Sequence, residues 1–420
     1  MVAKERVVII GSGWAGYRLA YGLDTSKFQV IVISPESTLA LTPLLASAAC
    51  GLFDPRLAHE PIRSRGFHGE YIQAEVLDVD FVKNQIICRP NFEELKQTRL
   101  EVSYDRVVLA PGCRINTFGI PGVSKYALFV KNVAGANAVR SRLNAVLEMA
   151  SLPGTSAARQ QQLLHVVVVG GGPTGIEVAA ELTDIFAGEM LNLYPQLAGK
   201  ASISVHDVAP QILAPFDKQL AKYATEALAK GKVDVKVNSH ITSVSQDAIE
   251  TREHGSIRYG MLIWATGNTS VPLVDTLRVK KTAQGMVRIL TSNHLGVLDE
   301  QGSVIPNAFA LGDAADIEGG TLPTTAQVAV QKADYLIQMF NDAKSDPDLC
   351  SSFSYKRRVM VTYTGSKDGI VQGERNYTGY TAWLGWRAGN FIWVRSWRRK
   401  FFLCFAWLMD YLNGRELVLH

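Results

Sequence analysis

The chain has 420 residues, of which 47% are hydrophobic, and a formal net charge of +4 at pH 7. This length allows two or three domains, and the composition excludes disordered, fibrous and nucleic-acid-coating proteins. The five cysteines are far apart and form no C-x-x-C pair, so a disulfide framework is not expected and a reducing compartment is favoured. The spacing of the eight histidines predicts no metal site. No run of 18 apolar residues predicts a membrane-spanning helix.

The first predicted elements are a strand, a glycine-rich turn and a helix. The run RVVII precedes the turn GSGWAG, and a second strand, FQVIVIS, ends at Ser34. This arrangement is typical of a dinucleotide cradle. Gly11 permits the tight turn, Gly13 lets the backbone approach a pyrophosphate, and Gly16 lets the helix pack closely on the strand. Ser34 stands where many FAD domains carry Glu, and a single motif of this kind also fits a chance glycine turn.

The same pattern recurs in the stretch HVVVVGGGPTGIEVAAEL, which begins at His165. A strand leads into the turn 170–175, a helix follows, and the strand in the next stretch, SISVHDV, is predicted to end at Asp207. An acidic residue there can accept both hydroxyls of an adenosine ribose and repels a 2′-phosphate, so NADH is favoured over NADPH. Two cradles in one chain predict two dinucleotides.

Three further segments resemble strands that return to these cradles. In AFALGDAAD, Gly312 would approach the flavin pyrophosphate and ribityl chain, and Asp313 would accept a ribityl hydroxyl. This segment assigns the first cradle to FAD. YDRVVLAPGC is predicted to close the first domain and LIWATGN the second. Taken singly, either of these two also fits an edge strand that ends in a turn.

Together, GSGWAGY, ISPESTLALTPLL, INTFGIPGV, VVVGGGPTGIEVAAELTD, LIWATGN, FALGDAAD and TTAQVAVQ resemble the type II NADH dehydrogenases, the single-subunit NADH:quinone oxidoreductases. The resemblance implies an α/β fold with two Rossmann-like dinucleotide-binding domains and a C-terminal amphipathic helical membrane-attachment region. The FAD-binding domain is expected at 1–135 and 285–345, the NADH-binding domain at 160–280, and the membrane-attachment or dimerisation region at 350–420. The implied function is hydride transfer from NADH to FAD, followed by transfer of two electrons to a ubiquinone-like membrane quinone without proton pumping.

The motifs and the resemblance together predict the site residues. Those expected at FAD are Gly11, Ser12, Gly13, Gly16, Ser34, Thr42, Pro43, Ala110, Gly112, Gly312, Asp313 and Ala326. Those expected at NADH are Gly170, Gly171, Gly172, Thr174, Gly175, Asp207, Ala265, Gly267 and Asn268. Glu177, Gln327 and Gln331 are the candidate catalytic residues.

The catalytic candidates have alternatives. Glu177 lies near the nicotinamide or simply stabilises the helix dipole. Gln327 and Gln331, on one face of a helix that begins after Pro323, bind quinone or solvate that face. Residues 34–60 contain only Cys50, so a dithiol relay from the flavin is excluded. The competing functions are a reductase of the apoptosis-inducing-factor or ferredoxin-reductase type and a membrane-bound NADH sensor with little turnover.

The C-terminal stretch combines basic and aromatic residues. RSWRRKFFLCFAWLM carries four basic residues, and no Asp or Glu occurs from 375 to 409. This composition predicts an interfacial helix that meets anionic lipid. A dimer interface or a helix that caps the core is the alternative. The predicted location is peripheral, on the mitochondrial inner membrane or, as the alternative, the bacterial cytoplasmic membrane.

Overall fold

The structure, a computed structural model, describes residues 4–342 and 351–415. Cys350 lies outside the described residues. Over the described ranges the α-helices are α1 Trp14–Gly22, α2 Leu45–Ala49, α3 Val123–Tyr126, α4 Val133–Ser151, α5 Ala157–Leu163, α6 Pro173–Ala187, α7 Glu189–Leu193, α8 Lys218–Lys230, α9 Pro272–Thr276, α10 Ala326–Asn341, α11 Tyr380–Trp393 and α12 Trp397–Asn413. Short 3₁₀ helices span Thr42–Leu44, Pro55–Ala58, Glu93–Leu95, Pro195–Leu197 and Gly312–Ala314.

The strands of the same ranges are β1 Glu5–Ile10, β2 Phe28–Ser34, β3 Thr38–Ala40, β4 His59–Pro61, β5 Glu70–Asp80, β6 Gln85–Pro90, β7 Leu100–Ser103, β8 Arg106–Leu109, β9 Arg114–Ile115, β10 Leu128–Phe129, β11 His165–Val169, β12 Ser202–His206, β13 Val233–Lys236, β14 Ile241–Val244, β15 Ala248–Thr251, β16 Gly255–Arg258, β17 Met261–Trp264, β18 Asn268–Thr269, β19 Ile289–Thr291, β20 Gly296–Leu298, β21 Val304–Ala310, β22 Ala315–Ile317, β23 Met360–Gly365, β24 Asp368–Gln372 and β25 Tyr377–Thr378. The chain forms two compact units, described separately below. Unit 1 comprises 1–39, 61–114 and 268–357, and unit 2 comprises 40–60, 115–267 and 358–420.

Unit 1 is built on a large mixed sheet with the strand order β22-β19-β20-β21-β8-β1-β2-β5-β6-β7. Its central strands β21, β8, β1, β2 and β5 pair in parallel, which brings their carboxyl ends to one edge. Such strands read as continuous apolar runs because both faces are covered, and Val7, Val8 and Ile9 are fully buried. Helix α1 packs beside α10, where a Cβ on Gly22 would lie 2.3 Å from Ile337 Cδ1.

Unit 2 contains a parallel sheet with the order β10-β17-β11-β12-β13. The valines of β11 are buried, which agrees with the β-branched run that predicts this strand. Strand β12 ends at His206, one residue before the predicted end, and Asp207 follows it directly. A smaller antiparallel sheet, β23-β24-β25, packs against α6 and α11.

The C-terminal region contains two helices, α11 and α12. The break falls at Val394–Ser396, where Val394 and Ser396 have extended backbone. Within the described ranges, each helix is either too short or too polar to span a lipid bilayer.

Candidate active site

The first glycine turn joins β1 to α1 with a geometry that only glycine satisfies at two positions. Gly11 has φ +105°, and a Cβ there would lie 2.1 Å from the Ala110 carbonyl oxygen. A Cβ on Gly16 would lie 1.9 Å from the carbonyl oxygen of Gly11. Around Gly13, by contrast, an added Cβ would meet nothing within 4 Å. The turn is therefore closed towards the sheet and open towards a ligand, as a pyrophosphate cradle requires.

The second glycine turn, between β11 and α6, repeats these contacts. Gly170 has φ +113°, and its Cβ would lie 2.3 Å from the Ala265 carbonyl oxygen. A Cβ on Gly175 would lie 2.0 Å from Gly170 oxygen, while the surroundings of Gly172 and Gly267 are open to 4 Å. The residues present at both turns thus fit the phosphates of a dinucleotide.

Ser12 and Ser34 join the turn to the end of β2. Their hydroxyl oxygens are 2.9 Å apart, and the Ser12 hydroxyl also donates to the Glu36 carbonyl at 2.8 Å. Both serines are buried, whereas Glu36 is exposed two residues beyond the strand. The sequence pattern does not single out Glu36, because the acid of such a cradle is expected at the last strand position. The Glu36 carboxylate is an additional candidate for binding a ribose.

Gly112 and Gly312 also lie at carboxyl ends of unit 1 strands, with φ of +72° and +77°. Asp313 follows in the 3₁₀ turn Gly312–Ala314, and its Oδ2 accepts the Cys113 thiol proton at an S–O distance of 3.1 Å. Asp313 is thereby oriented at the same sheet edge as Gly11. Thr42 and Pro43 lie in unit 2, at the start of the 3₁₀ helix Thr42–Leu44.

Asp207 is placed against the second cradle. Its Oδ2 accepts the Gly171 N–H at 2.5 Å, and its Oδ1 accepts the Ala209 N–H at 2.7 Å. Asp207 is far from the glycines in sequence, but its carboxylate contacts the turn in the structure. Thr174 is in the first turn of α6. Asn268 belongs to unit 1 and donates to the Thr324 hydroxyl at 3.2 Å.

Glu177 is buried against the C-terminal part of unit 2. Its Oε1 accepts Trp386 Nε1–H at 2.9 Å and the Thr362 hydroxyl at 3.2 Å. Burial raises the pKa of this carboxyl to about 8, although both hydrogen bonds oppose the rise. The carboxyl therefore holds its proton at neutral pH. A neutral carboxyl does not provide the negative charge that would stabilise the helix dipole.

Two further carboxylates of α6 lie beside the last described residue, Arg415. Its guanidinium is 2.7 Å from Glu181 Oε2 and 3.6 Å from Asp184 Oδ2. Glu181 also accepts the Ser47 hydroxyl at 2.6 Å, and Asp184 accepts the Tyr363 hydroxyl. The sequence reasoning missed this cluster because no spacing rule links Arg415 to α6.

Helix α10 begins at Ala326 and carries both candidate glutamines. Thr325 caps it, its hydroxyl accepting the Val328 N–H at 3.3 Å. The Gln331 amide donates to the Lys356 carbonyl and accepts the Lys356 N–H, both at 3.0 Å. Gln331 therefore holds the segment after residue 350 to α10, a role the sequence reasoning did not foresee. Gln327 lies in the first turn.

The basic residues of the tail divide into inward and outward groups. Glu60, only 3% exposed, accepts the N–H groups of Arg395 and Ser396 and pairs with Arg399 at 2.9 Å. Arg387 is directed onto the ring of Trp407, 4.8 Å from its centroid. The basic residues of the tail therefore do not all point outward: Arg399 pairs with the buried Glu60, and Arg387 packs on the Trp407 ring. Arg398 is exposed.

Two steric cradles of this kind, each at the carboxyl ends of parallel strands, define an oxidoreductase that binds two dinucleotides. The family described as pyridine nucleotide-disulphide oxidoreductase matches residues 5–333. A probable NADH dehydrogenase of Dictyostelium discoideum is 33% identical over 422 residues, covering 99% of this chain and 92% of the relative. The external NADH-ubiquinone oxidoreductase 2, mitochondrial, of Saccharomyces cerevisiae is 32% identical over 453 residues, covering 98% and 82%.

The structure of NDH2 from Plasmodium falciparum in complex with NADH superposes with a TM-score of 0.90 and 25% identity, covering 99% of this chain and all of that one. The chain therefore belongs to the pyridine nucleotide-disulphide oxidoreductases and, among them, to the type II NADH:quinone oxidoreductase family. The predicted family, the α/β fold class and the cofactor pair FAD and NADH are confirmed. The roles of the individual site residues stay predictions.

Proposed function

We propose that this chain oxidises NADH and reduces a membrane quinone through FAD, so that electrons enter a respiratory chain without proton pumping. In this reaction, NADH, one proton and quinone are converted to NAD⁺ and quinol. Bound FAD would supply the two-electron step between the two substrates. Several relatives carry ubiquinone in their names, including the yeast protein and a plant protein 36% identical over 340 residues.

One observation carries the proposal: the chain has two dinucleotide cradles, and residues 34–60, which follow the first cradle helix, contain no pair of cysteines to take electrons from a flavin. Cys50 is the single cysteine in residues 34–60 and is fully buried. Burial raises the pKa of its thiol well above the usual range. A thiol in that state is a poor nucleophile and a poor relay. Direct transfer from the flavin to a small oxidised acceptor such as quinone is consistent with this arrangement.

The proposed division of labour follows the two cradles. The FAD domain, 1–135 and 285–345, would hold the flavin through the first glycine turn and the Asp313 carboxylate. The NADH domain, 160–280, would hold NADH through the second turn, with Asp207 accepting ribose hydroxyls. Support comes from the steric need for glycine at both turns and from the bond between Gly171 and Asp207.

Glu177 and the two glutamines are the proposed catalytic residues. Because the Glu177 carboxyl keeps its proton at neutral pH, it can store a proton inside the protein for quinol formation. Gln327 is proposed to bind quinone. Gln331 remains a candidate, but its amide already bonds to the Lys356 backbone. A Q331A variant that alters stability while leaving KM for quinone unchanged would remove it from the quinone site.

The test of the overall function is steady-state and rapid-mixing kinetics on purified, FAD-containing protein. With NADH and a short-chain ubiquinone, we expect rapid, rotenone-insensitive turnover and fast flavin reduction. Fast flavin reduction that quinone does not reoxidise would favour the ferredoxin-reductase type of acceptor. Slow flavin reduction without quinone acceleration would favour a sensor and contradict the proposal.

We also propose that α12 attaches the protein to a membrane surface. Its large apolar side chains at helical spacing are exposed, with Trp397 80%, Phe401 67%, Phe405 52%, Leu408 53% and Leu412 63% accessible. These positions form one stripe along the helix. An exposed apolar stripe with Arg398 beside it suits an anionic interface. The proposed location is the mitochondrial inner membrane, since the yeast relative is named mitochondrial, with the bacterial cytoplasmic membrane as the alternative.

Liposome flotation tests this attachment. F401S/F405S should lose flotation with vesicles containing anionic lipid and should keep NADH oxidation by a soluble dye. F92S is the matched control, because Phe92 is 48% exposed far along the chain from α12. Unchanged flotation of F401S/F405S would contradict attachment. If the wild type is a dimer that this variant breaks while still floating, the stripe is a dimer interface.

A further inference from the structure

The buried face of α10 contains a lysine. This face consists of Val328, Ala329, Lys332, Ala333, Leu336, Met339 and Phe340. Lys332 is 0% exposed, although its position along the helix is one that an apolar side chain would normally fill. An ammonium group that is removed from water opposes folding strongly unless it is compensated. The buried ammonium of Lys332 therefore requires either a compensating partner or a functional role.

Among the described residues, the hydrogen-bond acceptor of Lys332 is a neutral backbone carbonyl. Its Nζ donates to the Ala315 carbonyl at 3.2 Å. The adjacent carboxylate, Asp316, already pairs with Arg288 at 2.9 Å and accepts the Leu322 N–H at 3.2 Å. Burial lowers the pKa of Lys332 to about 8, against the opposing attraction of Asp316 and Asp313. At neutral pH the ammonium is therefore still mostly charged.

The acceptor carbonyl belongs to the segment that holds the proposed flavin contacts. Ala315 directly follows the 3₁₀ turn Gly312–Ala314, which carries Asp313. Lys332 is six residues beyond Ala326 on α10, a rise of about 9 Å along the helix. One side chain thus joins the two elements of unit 1 that are expected to meet the flavin.

We propose that Lys332 is a positioning residue for FAD: it ties α10 to the Gly312–Ala314 turn, and its buried positive charge favours the reduced flavin over the oxidised flavin. This proposal rests on FAD binding in the first cradle. Two-electron reduction increases the negative charge of the flavin, and a nearby cation in a low-dielectric interior stabilises the more negative state. The charge should therefore raise the reduction potential.

Three substitutions separate the charge from the hydrogen bond. K332M removes both, K332Q keeps an N–H donor without charge, and K332R keeps the charge. Arg18→Met is the matched control, because Arg18 pairs with Asp334 of the same helix at 2.5 Å but is 40% exposed. For each purified protein, the FAD content is measured first, and the flavin is then equilibrated with a reference dye of known potential.

In K332M and K332Q the ratio of reduced to oxidised flavin should fall about tenfold at a given potential, which for a two-electron couple is about 30 mV. K332R and R18M should stay within about twofold of the wild type. If K332M does not accumulate as folded protein, K332Q decides. Variants that bind FAD with an unchanged ratio would overturn the proposal and leave Lys332 a structural residue only. A wild type without FAD would instead contradict the cofactor assignment.

Discussion

Replacing Glu177 with glutamine tests the claim that this buried carboxyl keeps its proton. Glutamine has the same shape and retains a carbonyl oxygen for Trp386 and Thr362, which donate to Glu177 Oε1 in the wild type. It cannot ionise. We expect E177Q to equal the wild type in stability at low pH and to exceed it at high pH.

The sign follows from proton binding. In the folded protein the pKa of Glu177 is raised from 4.5 to about 8, mainly by burial. Between these values the folded state holds a proton that the unfolded state has released, so the stability of the wild type falls as pH rises. At 1.36 kcal/mol per pKa unit, the loss above pH 8 has an upper limit of about 5 kcal/mol. E177Q lacks this loss.

The assay is urea unfolding at pH 5, 7 and 9, followed by tryptophan fluorescence. The difference in unfolding free energy between E177Q and the wild type should be small at pH 5, just above the unfolded-state pKa of 4.5, and should grow through pH 9. E94Q is the control, since Glu94 is exposed and its replacement should leave the pH profile unchanged. Parallel profiles for E177Q and the wild type, or an E177Q protein less stable at pH 9, would refute the reasoning.

Three other predictions concern the cradles and the ion cluster. G16A should be purified without FAD, judged from visible absorbance, because its Cβ would lie 1.9 Å from a backbone oxygen; G389A, with open space around its Cβ, should retain FAD. R415M should lower the unfolding free energy by about 3 kcal/mol by leaving the buried Glu181 carboxylate unpaired, whereas R398M at an exposed site should change it by less than about 0.5 kcal/mol. D207N should reduce the preference for NADH over NADPH in kcat/KM about tenfold, since it removes the charge that repels a 2′-phosphate; an unchanged ratio would place another residue at the ribose.

The glycine turns could be predicted from sequence because their requirements are local. A strand, a tight turn and a helix determine which positions tolerate no Cβ, and Gly11 and Gly170 meet the same backbone contact in the structure. The strand predicted to end at Asp207 is β12, which ends one residue earlier because its pairing with β13 stops at His206. Periodicity also predicted α10, whose N-terminus lies three residues beyond Pro323.

The contacts that sequence could not supply are all long-range and polar. Arg399 pairs with Glu60, and Arg415 with Glu181, across separations that follow no motif. Composition correctly marked the tail as basic and aromatic, but it could not say which charges have buried partners. The two hydrogen bonds between the Gln331 amide and the Lys356 backbone could not be predicted either, because neither residue type indicates the other as its partner.

Helix α12 is tethered at both ends within unit 2. Glu60 receives backbone N–H groups at its start, and Arg415, just beyond its end, pairs with Glu181. The conformational entropy of this helix is therefore lost when the protein folds, and not when the helix binds a partner surface. A preorganised stripe should bind with little change in its amide hydrogen exchange. An isolated peptide of the same sequence would first have to fold and should bind more weakly.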